Sequence, residues 1–110
     1  MEKENALEMI MELRKNRDQI LQELLDEMLR SASNYASMRL AWFHMTREEK
    51  KEKDSLRSGM HDRFMDNLNI LLRYLDRLEI NHEGIFDYND RKEAGDFACL
   101  IAYRMMIESR

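Results

Sequence analysis

The 110-residue sequence has no proline, three glycines and a single cysteine. Because proline and glycine provide the turns of all-β folds and of loop-built active sites, their scarcity favours long helices. One cysteine cannot form an intramolecular disulfide, which excludes a disulfide-stapled secreted scaffold. It favours a reducing compartment, so we expect a cytoplasmic protein. The sequence also lacks a Gly-rich phosphate loop and a Gly-x-Ser-x-Gly nucleophile motif.

Neither the charge pattern nor the apolar runs indicate a nucleic-acid or membrane partner. The net charge is −4, and acidic and basic residues alternate along the chain without a basic stripe. The longest apolar stretch, residues 97–107, contains Arg104 and is shorter than the roughly 20 residues that a membrane helix needs. The charged first eight residues are not followed by an apolar run, so we expect no signal peptide.

Apolar residues recur every three or four positions, which predicts one all-α domain over residues 1–110, built as a three-helix bundle. The three helices are expected at about 5–45, 47–80 and 90–108. The apolar stripe of the long first helix is interrupted at residues 14–18, and the short polar side chains at 31–34 predict a kink.

Helix ends are marked by two signals. Thr46 and Glu49 form a capping box that separates the first two helices, and Asn81 or Gly84 is expected to end the second in a left-handed conformation.

Two stretches predict how the helices pack. The second helix carries a seam with a 4-3-4-3 spacing, typical of packing against an antiparallel neighbour: Phe64, Leu68, Leu71, Leu75 and Leu78. The third helix is apolar nearly all round from residue 97 to 107, which predicts the most buried element. Cys99 lies inside this stretch and is expected to be a buried, inert thiol.

The helix lengths predict a homodimer. A helix of about 40 residues spans ~60 Å, whereas one of about 19 residues spans under ~30 Å, so the last helix cannot cover the first two. The apolar rows at residues 20–29 or 35–43 would remain uncovered, and a second subunit is the simplest cover.

The end of the first helix is the candidate interaction surface, with Met38, Trp42, Phe43 and Met45 close together. Methionine and tryptophan are favoured on adaptable contact surfaces. The alternative is that these side chains fill gaps in the core. With no catalytic constellation evident, the favoured hypothesis is a non-enzymatic protein–protein interaction or regulatory module, acting as a homodimer and needing no cofactor.

The alternative function is a metal-dependent nucleotide hydrolase with carboxylates on facing helices. Its magnesium or manganese ligands would be His61, Asp62 and Asp66 of the second helix with Glu23 of the first. These groups also fit solvated helix surfaces, because the densest acidic run is interleaved with lysines.

A second metal-like motif is the Glu-x-x-His pair Glu79 and His82, which has the spacing of di-iron helical bundles. Such a site needs a second copy of the motif, which dimer symmetry would supply. The alternative is a solvated helix end beside a turn.

Two segments, HDRFMDNLNILLRYL at 61–75 and DRKEAGDFA at 90–98, resemble a family of small all-helical bacterial proteins of unknown function. The resemblance implies a bacterial or phage source and carries no activity. It also implies that residues 67–71 and 95–98 pack together.

Overall fold

The computed structural model describes residues 2–82 and 91–109, which form four α-helices and no β-strand. The helices are α1 (Glu2–Leu13), α2 (Gln19–Trp42), α3 (Arg47–Arg77) and α4 (Arg91–Glu108). The all-α prediction is confirmed. The prediction of three helices is wrong, because the segment predicted as one helix over residues 5–45 forms two. An unbroken helix of that length would span ~60 Å, more than the 47 Å long axis of the molecule.

The break between α1 and α2 falls in the polar run at residues 14–18. Asp18 is the N-cap of α2, and its carboxylate accepts a hydrogen bond from the backbone N–H of Leu21 at 2.9 Å. The side-chain amide of Gln22 donates 2.8 Å hydrogen bonds to the carbonyl oxygens of Leu13 and Asn16. The groups left unpaired at both helix ends therefore find polar partners, which stabilises the break.

The helix continues through residues 31–34, where a kink is predicted. Ser31 Oγ donates a 2.8 Å hydrogen bond to the carbonyl of Met28, one turn earlier. Ser31 and Ala32 are both buried. The serine hydroxyl is thus satisfied inside the helix, and the polar composition of this stretch does not interrupt α2.

The start of α3 matches the prediction. Thr46 is the N-cap, its hydroxyl accepts the N–H of Glu49 at 3.2 Å, and the Glu49 carboxylate accepts the N–H of Thr46 at 3.1 Å. This reciprocal pairing is the capping box expected from the sequence.

The end of α3 differs from the prediction, because Glu79 adopts the left-handed conformation with φ 58°. The N–H of Ile80 donates to the carbonyl of Leu75 at 2.9 Å, and the N–H of Glu79 donates to that of Asp76 at 3.1 Å. This pair of bonds is a Schellman motif. The helix therefore ends three residues before position 80, and Gly84 lies outside the described residues.

The core is one buried cluster that draws on all four helices. The α3 seam lies at its centre, with Phe64, Leu68, Leu71 and Leu75 at 0–1% exposure, while Leu78 packs at its edge. α3 runs antiparallel to α2, since Tyr74 contacts Asp18 and Asn67 contacts Glu27. The predicted antiparallel seam is confirmed. The segments 67–71 and 95–98 both contribute to this cluster.

α1 lies parallel to α4 and is joined to it by ion pairs. Lys3 is 4.0 Å from Glu93 and from Asp96, Glu8 is 2.6 Å from Arg104, and Arg14 pairs with Glu108. The buried side of α1 contributes five residues to the core: Ala6, Leu7, Ile10, Met11 and Leu13.

This arrangement removes part of the argument for a dimer. In the row at residues 20–29, the side chains of Leu21, Leu25, Met28 and Leu29 are buried within one chain, and only Ile20 is exposed. The row at residues 35–43 behaves differently, because Leu40 and Phe43 remain exposed. If a second subunit covers an apolar row, that row is the one at residues 35–43.

Candidate interaction face

The outward side of α4 is apolar. The inward side buries Ala94, Phe97, Ala98 and Ile101 at 0–1% exposure. The opposite side carries side chains that are partly or largely exposed: Leu100, Tyr103, Met106 and Ile107. A helix at the surface of a globular protein normally presents charged residues there. The expectation that α4 is the most buried element is therefore wrong for its second half.

The C-terminal end of α2 continues this surface. Leu40 and Phe43 are 67% and 74% exposed, and an open groove of about 460 Å³ separates them from α4. The groove is lined by Arg39, Leu40, Phe43, Asp96, Cys99 and Leu100. We call the surface formed by Leu40, Phe43, Leu100, Tyr103, Met106 and Ile107 the apolar face.

The charges in the groove neutralise each other. Arg39 of α2 and Asp96 of α4 form an ion pair at 2.7 Å. Burial disfavours the charged guanidinium, but the hydrogen bond and the charge of Asp96 outweigh it, so the pKa of Arg39 is raised. Gly95 leaves the space that Arg39 occupies, because a Cβ there would lie 2.8 Å from Arg39 Nη1.

Cys99 lies at this groove rather than deep in the core. Its side chain is half-buried and lines the depression beside Arg39. The expectation of a fully buried thiol is wrong, because Cys99 faces the open groove between α2 and α4 and not the core.

The four predicted interaction residues have different surroundings. Phe43 belongs to the apolar face, whereas Met38 and Met45 are half-buried. Trp42 is half-buried beneath Arg57 of α3, whose guanidinium carbon lies 4.1 Å from the centre of the ring. This stacking joins α2 to α3 and uses the tryptophan within the chain.

Sequence reasoning missed most of the apolar face. Leu40 lies in the row at 35–43 that the sequence predicts to be uncovered, but no sequence pattern assigned Tyr103, Met106 or Ile107 of α4 to an exposed surface. The signal for these three is the all-round apolar character of α4. An apolar helix that packs on one side only leaves its other side exposed.

The four candidate metal ligands do not come together as a metal site. His61 Nδ1 lies 3.2 Å from Asp62 Oδ1, and the His61 ring packs edge-on against Tyr35 at 5.5 Å. Asp62, Asp66 and Glu23 are exposed. Within residues 2–82 and 91–109, no group of three or more His, Cys, Asp or Glu side chains could hold a metal ion.

Glu79 and His82 do not share a helix face, because α3 ends at Arg77. His82 Nε2 lies 2.6 Å from Asp76 Oδ1, which ties the chain after the helix back to the last turn of α3. The Glu-x-x-His spacing here belongs to a helix terminus, and its geometry is not that of the di-iron motif.

None of the four described helices combines the length and the hydrophobicity needed to cross a bilayer. Comparison of the chain with protein-family models, with curated proteins and with solved structures finds no match.

Proposed function

We propose that this chain is a non-enzymatic interaction module that acts as a homodimer through the apolar face. The observation that carries the proposal is the outward side of α4, where Tyr103, Met106 and Ile107 are 59%, 49% and 44% exposed. Contiguous apolar patches of a few hundred Å² on a protein surface mark interaction sites.

The size of the face supports a protein partner. The exposed fractions of Leu40, Phe43, Tyr103, Met106 and Ile107 together amount to nearly three whole side chains. At about 200 Å² for a large apolar residue, this is on the order of 600 Å². A stable interface buries about 800 Å² on each partner. The face with a polar rim reaches that range.

A second copy is the partner that suits the face best. In a two-fold interface each copy contributes the same surface, so that surface must be self-complementary. The charges of Arg39 and Asp96 cancel within each copy, so two copies meet without like-charge repulsion. The groove of about 460 Å³ has room for an aromatic side chain such as Phe43 of the second copy.

The proposal includes a reducing compartment such as the cytoplasm. Cys99 is the only cysteine of the sequence and lines the groove as a free, half-buried thiol. Such a thiol stays unpaired where glutathione and thioredoxin keep cysteines reduced.

Light scattering coupled to size-exclusion chromatography tests the proposal. We expect the wild type to elute at twice the chain mass of 13.4 kDa. Leu40→Glu and the double variant Phe43→Glu/Tyr103→Glu should elute as monomers, because a buried unpaired carboxylate opposes association. A wild type that stays monomeric at millimolar concentration would contradict the proposal, as would a dimer that survives the double substitution.

Ile20→Glu is the matched control. Ile20 lies on the same helix as Leu40 and is 54% exposed, but it does not belong to the apolar face. This variant should remain dimeric. A second readout is the rate at which iodoacetamide alkylates Cys99. The rate should fall as protein concentration rises in the wild type and stay constant in Leu40→Glu.

A further inference from the structure

A second concave surface lies between α2 and α3. It is a depression of about 250 Å³ that is lined by four polar side chains, two apolar side chains and one glycine. Its lining residues are Ser31 and Asn34 of α2 with Ser55, Leu56, Gly59, Met60 and Arg63 of α3. None of these residues belongs to the apolar face.

Gly59 keeps this depression open. It lies in the interior of α3, where glycine is less favourable than alanine. Its backbone does not have a positive φ, and a Cβ at this position would meet no atom within 4 Å. Neither the local conformation nor the packing of the chain therefore requires glycine. What the missing side chain provides is open space above the helix backbone, where a ligand can approach closely.

Polar side chains with free hydrogen-bonding capacity surround that space. Ser55 and Arg63 lie one turn before and one turn after Gly59, so they share its side of α3. Asn34 faces them from α2. The side chains of Ser55, Arg63 and Asn34 make no hydrogen bond or ion pair with any residue in the described part of the chain.

The remaining lining residues and the volume restrict the chemistry and the size of a ligand. The hydroxyl of Ser31 already donates to the carbonyl of Met28 at 2.8 Å, so it offers only an acceptor. Leu56 and Met60 add apolar surface beside Gly59. The volume is below the range of about 300–1,000 Å³ that holds drug-sized ligands, so a ligand of a few heavy atoms fits.

We infer that this depression binds a small carboxylate that carries a short apolar group. The guanidinium of Arg63 pairs with the carboxylate, which it matches in shape and charge. Asn34 and Ser55 supply further donors, and the apolar group contacts Leu56, Met60 and the bare backbone at Gly59. Docking of a partner helix would instead need a continuous apolar stripe, which the polar residues at Ser55 and Arg63 interrupt.

An NMR titration of the isotopically labelled full chain tests this inference. The probe is isovalerate, a branched carboxylate of suitable size, at constant ionic strength. We expect saturable shifts of the backbone amides confined to residues 31–34 and 55–63. Isovaleramide has the same shape without the charge and should bind at least about tenfold more weakly, since charge-assisted hydrogen bonds are the strong ones.

Three variants separate this site from general anion binding. Arg63→Gln should weaken isovalerate binding at least about tenfold, and Gly59→Leu should abolish it by filling the depression. Arg73→Gln, an exposed arginine of the same helix outside the depression, should leave the affinity unchanged. Circular dichroism shows whether each variant is folded.

Some outcomes would overturn the inference. One is the absence of saturable shifts in the wild type at isovalerate concentrations on the order of 10 mM. Another is unchanged binding in Arg63→Gln. A third is a set of isovalerate-induced shifts at residues outside the depression, for example on the apolar face. The result is independent of the dimer proposal, because Leu40→Glu should bind isovalerate as the wild type does.

Discussion

Two glycines in helix interiors allow a sharp test of the packing described above. Gly59 lies within α3 and Gly95 within α4. Substitution by alanine in a helix interior raises stability by about 1 kcal/mol when the new methyl group has room. At Gly59 a Cβ meets no atom within 4 Å. We therefore expect Gly59→Ala to raise the free energy of unfolding by about 1 kcal/mol.

Gly95→Ala has the same intrinsic gain but meets an obstacle. The new Cβ would lie 2.8 Å from Nη1 and 3.1 Å from Cζ of Arg39, so the arginine side chain must move. Moving it breaks the 2.7 Å ion pair with Asp96. The side chain of Arg39 is 25% exposed and that of Asp96 is 38% exposed. A partly exposed pair contributes up to about 1 kcal/mol. The gain and the loss therefore nearly cancel, and we expect a net change within about 0.5 kcal/mol of zero.

Urea denaturation followed by circular dichroism measures both variants, at one protein concentration because dimerisation shifts apparent stability. In thermal melts, a gain of 1 kcal/mol corresponds to about 4–8 °C in Tm for a domain of this size. The control places Gly95→Ala in an Arg39→Ala background, where the gain of about 1 kcal/mol should reappear. The reasoning fails if Gly95→Ala stabilises the wild type as much as Gly59→Ala does. It also fails if Gly95→Ala gives no gain in the free energy of unfolding in the Arg39→Ala background.

Three further predictions concern the helix ends and the core. Glu79→Gly should raise the free energy of unfolding by about 1 kcal/mol in urea denaturation, since glycine adopts the φ of 58° without strain; Glu79→Ala is the control and should show no such gain. Stability should fall as the pH drops below about 4, because hydrogen bonds from backbone N–H groups lower the folded-state pKa of Asp18 and Glu49 below 3.8 and 4.5. A group with a lowered pKa stabilises the fold above its unfolded-state pKa and loses that effect as protons bind. Thermal melts between pH 2 and 7 measure this loss, and Asp18→Asn, which keeps a capping acceptor, should show a smaller dependence; an equally steep profile would assign it to other groups. Phe64→Ala should lower the free energy of unfolding by about 3–5 kcal/mol, because Phe64 is fully buried in the core cluster; a loss below 1 kcal/mol would show that the cluster is not the core.

Features that depend on nearby residues were predictable from the sequence. The capping box at Thr46 and Glu49 needs only two side chains three positions apart, and the structure forms it. The α3 seam follows from periodicity alone, because a narrow apolar stripe has one side to bury.

The break at residues 14–18 depends on contacts between distant parts of the chain. The two carboxylate oxygens of Asp18 lie 2.8 and 3.0 Å from the hydroxyl of Tyr74, which donates to them. Tyr74 is 56 positions away in sequence. Composition favoured a kink at residues 31–34 instead, since no local pattern shows that Tyr74 reaches Asp18. The polar interruption at residues 14–18 was visible, but its consequence was not.

The same limit applies to Glu79 and to the apolar face. Local preference points to Asn81 or Gly84 for the left-handed position. The structure places it at Glu79, two residues before Asn81, and the next residue, Ile80, packs against the core. For α4, an apolar sequence on all sides does not tell which side packs inward. The positions of the other three helices decide that Phe97 is buried and Tyr103 is exposed.

The parallel pairing of α1 and α4 has a consequence for how the chain folds. The Glu8–Arg104 contact joins residues 96 positions apart, and Arg14–Glu108 joins residues 94 apart. Contacts of such high sequence separation close large loops and form late. The antiparallel α2–α3 pair can assemble first, whereas α1 has to wait until α4 has been synthesised. During that interval the side of α1 that packs on α4 is exposed to water, which opens α1 to misassociation on the way to the native state.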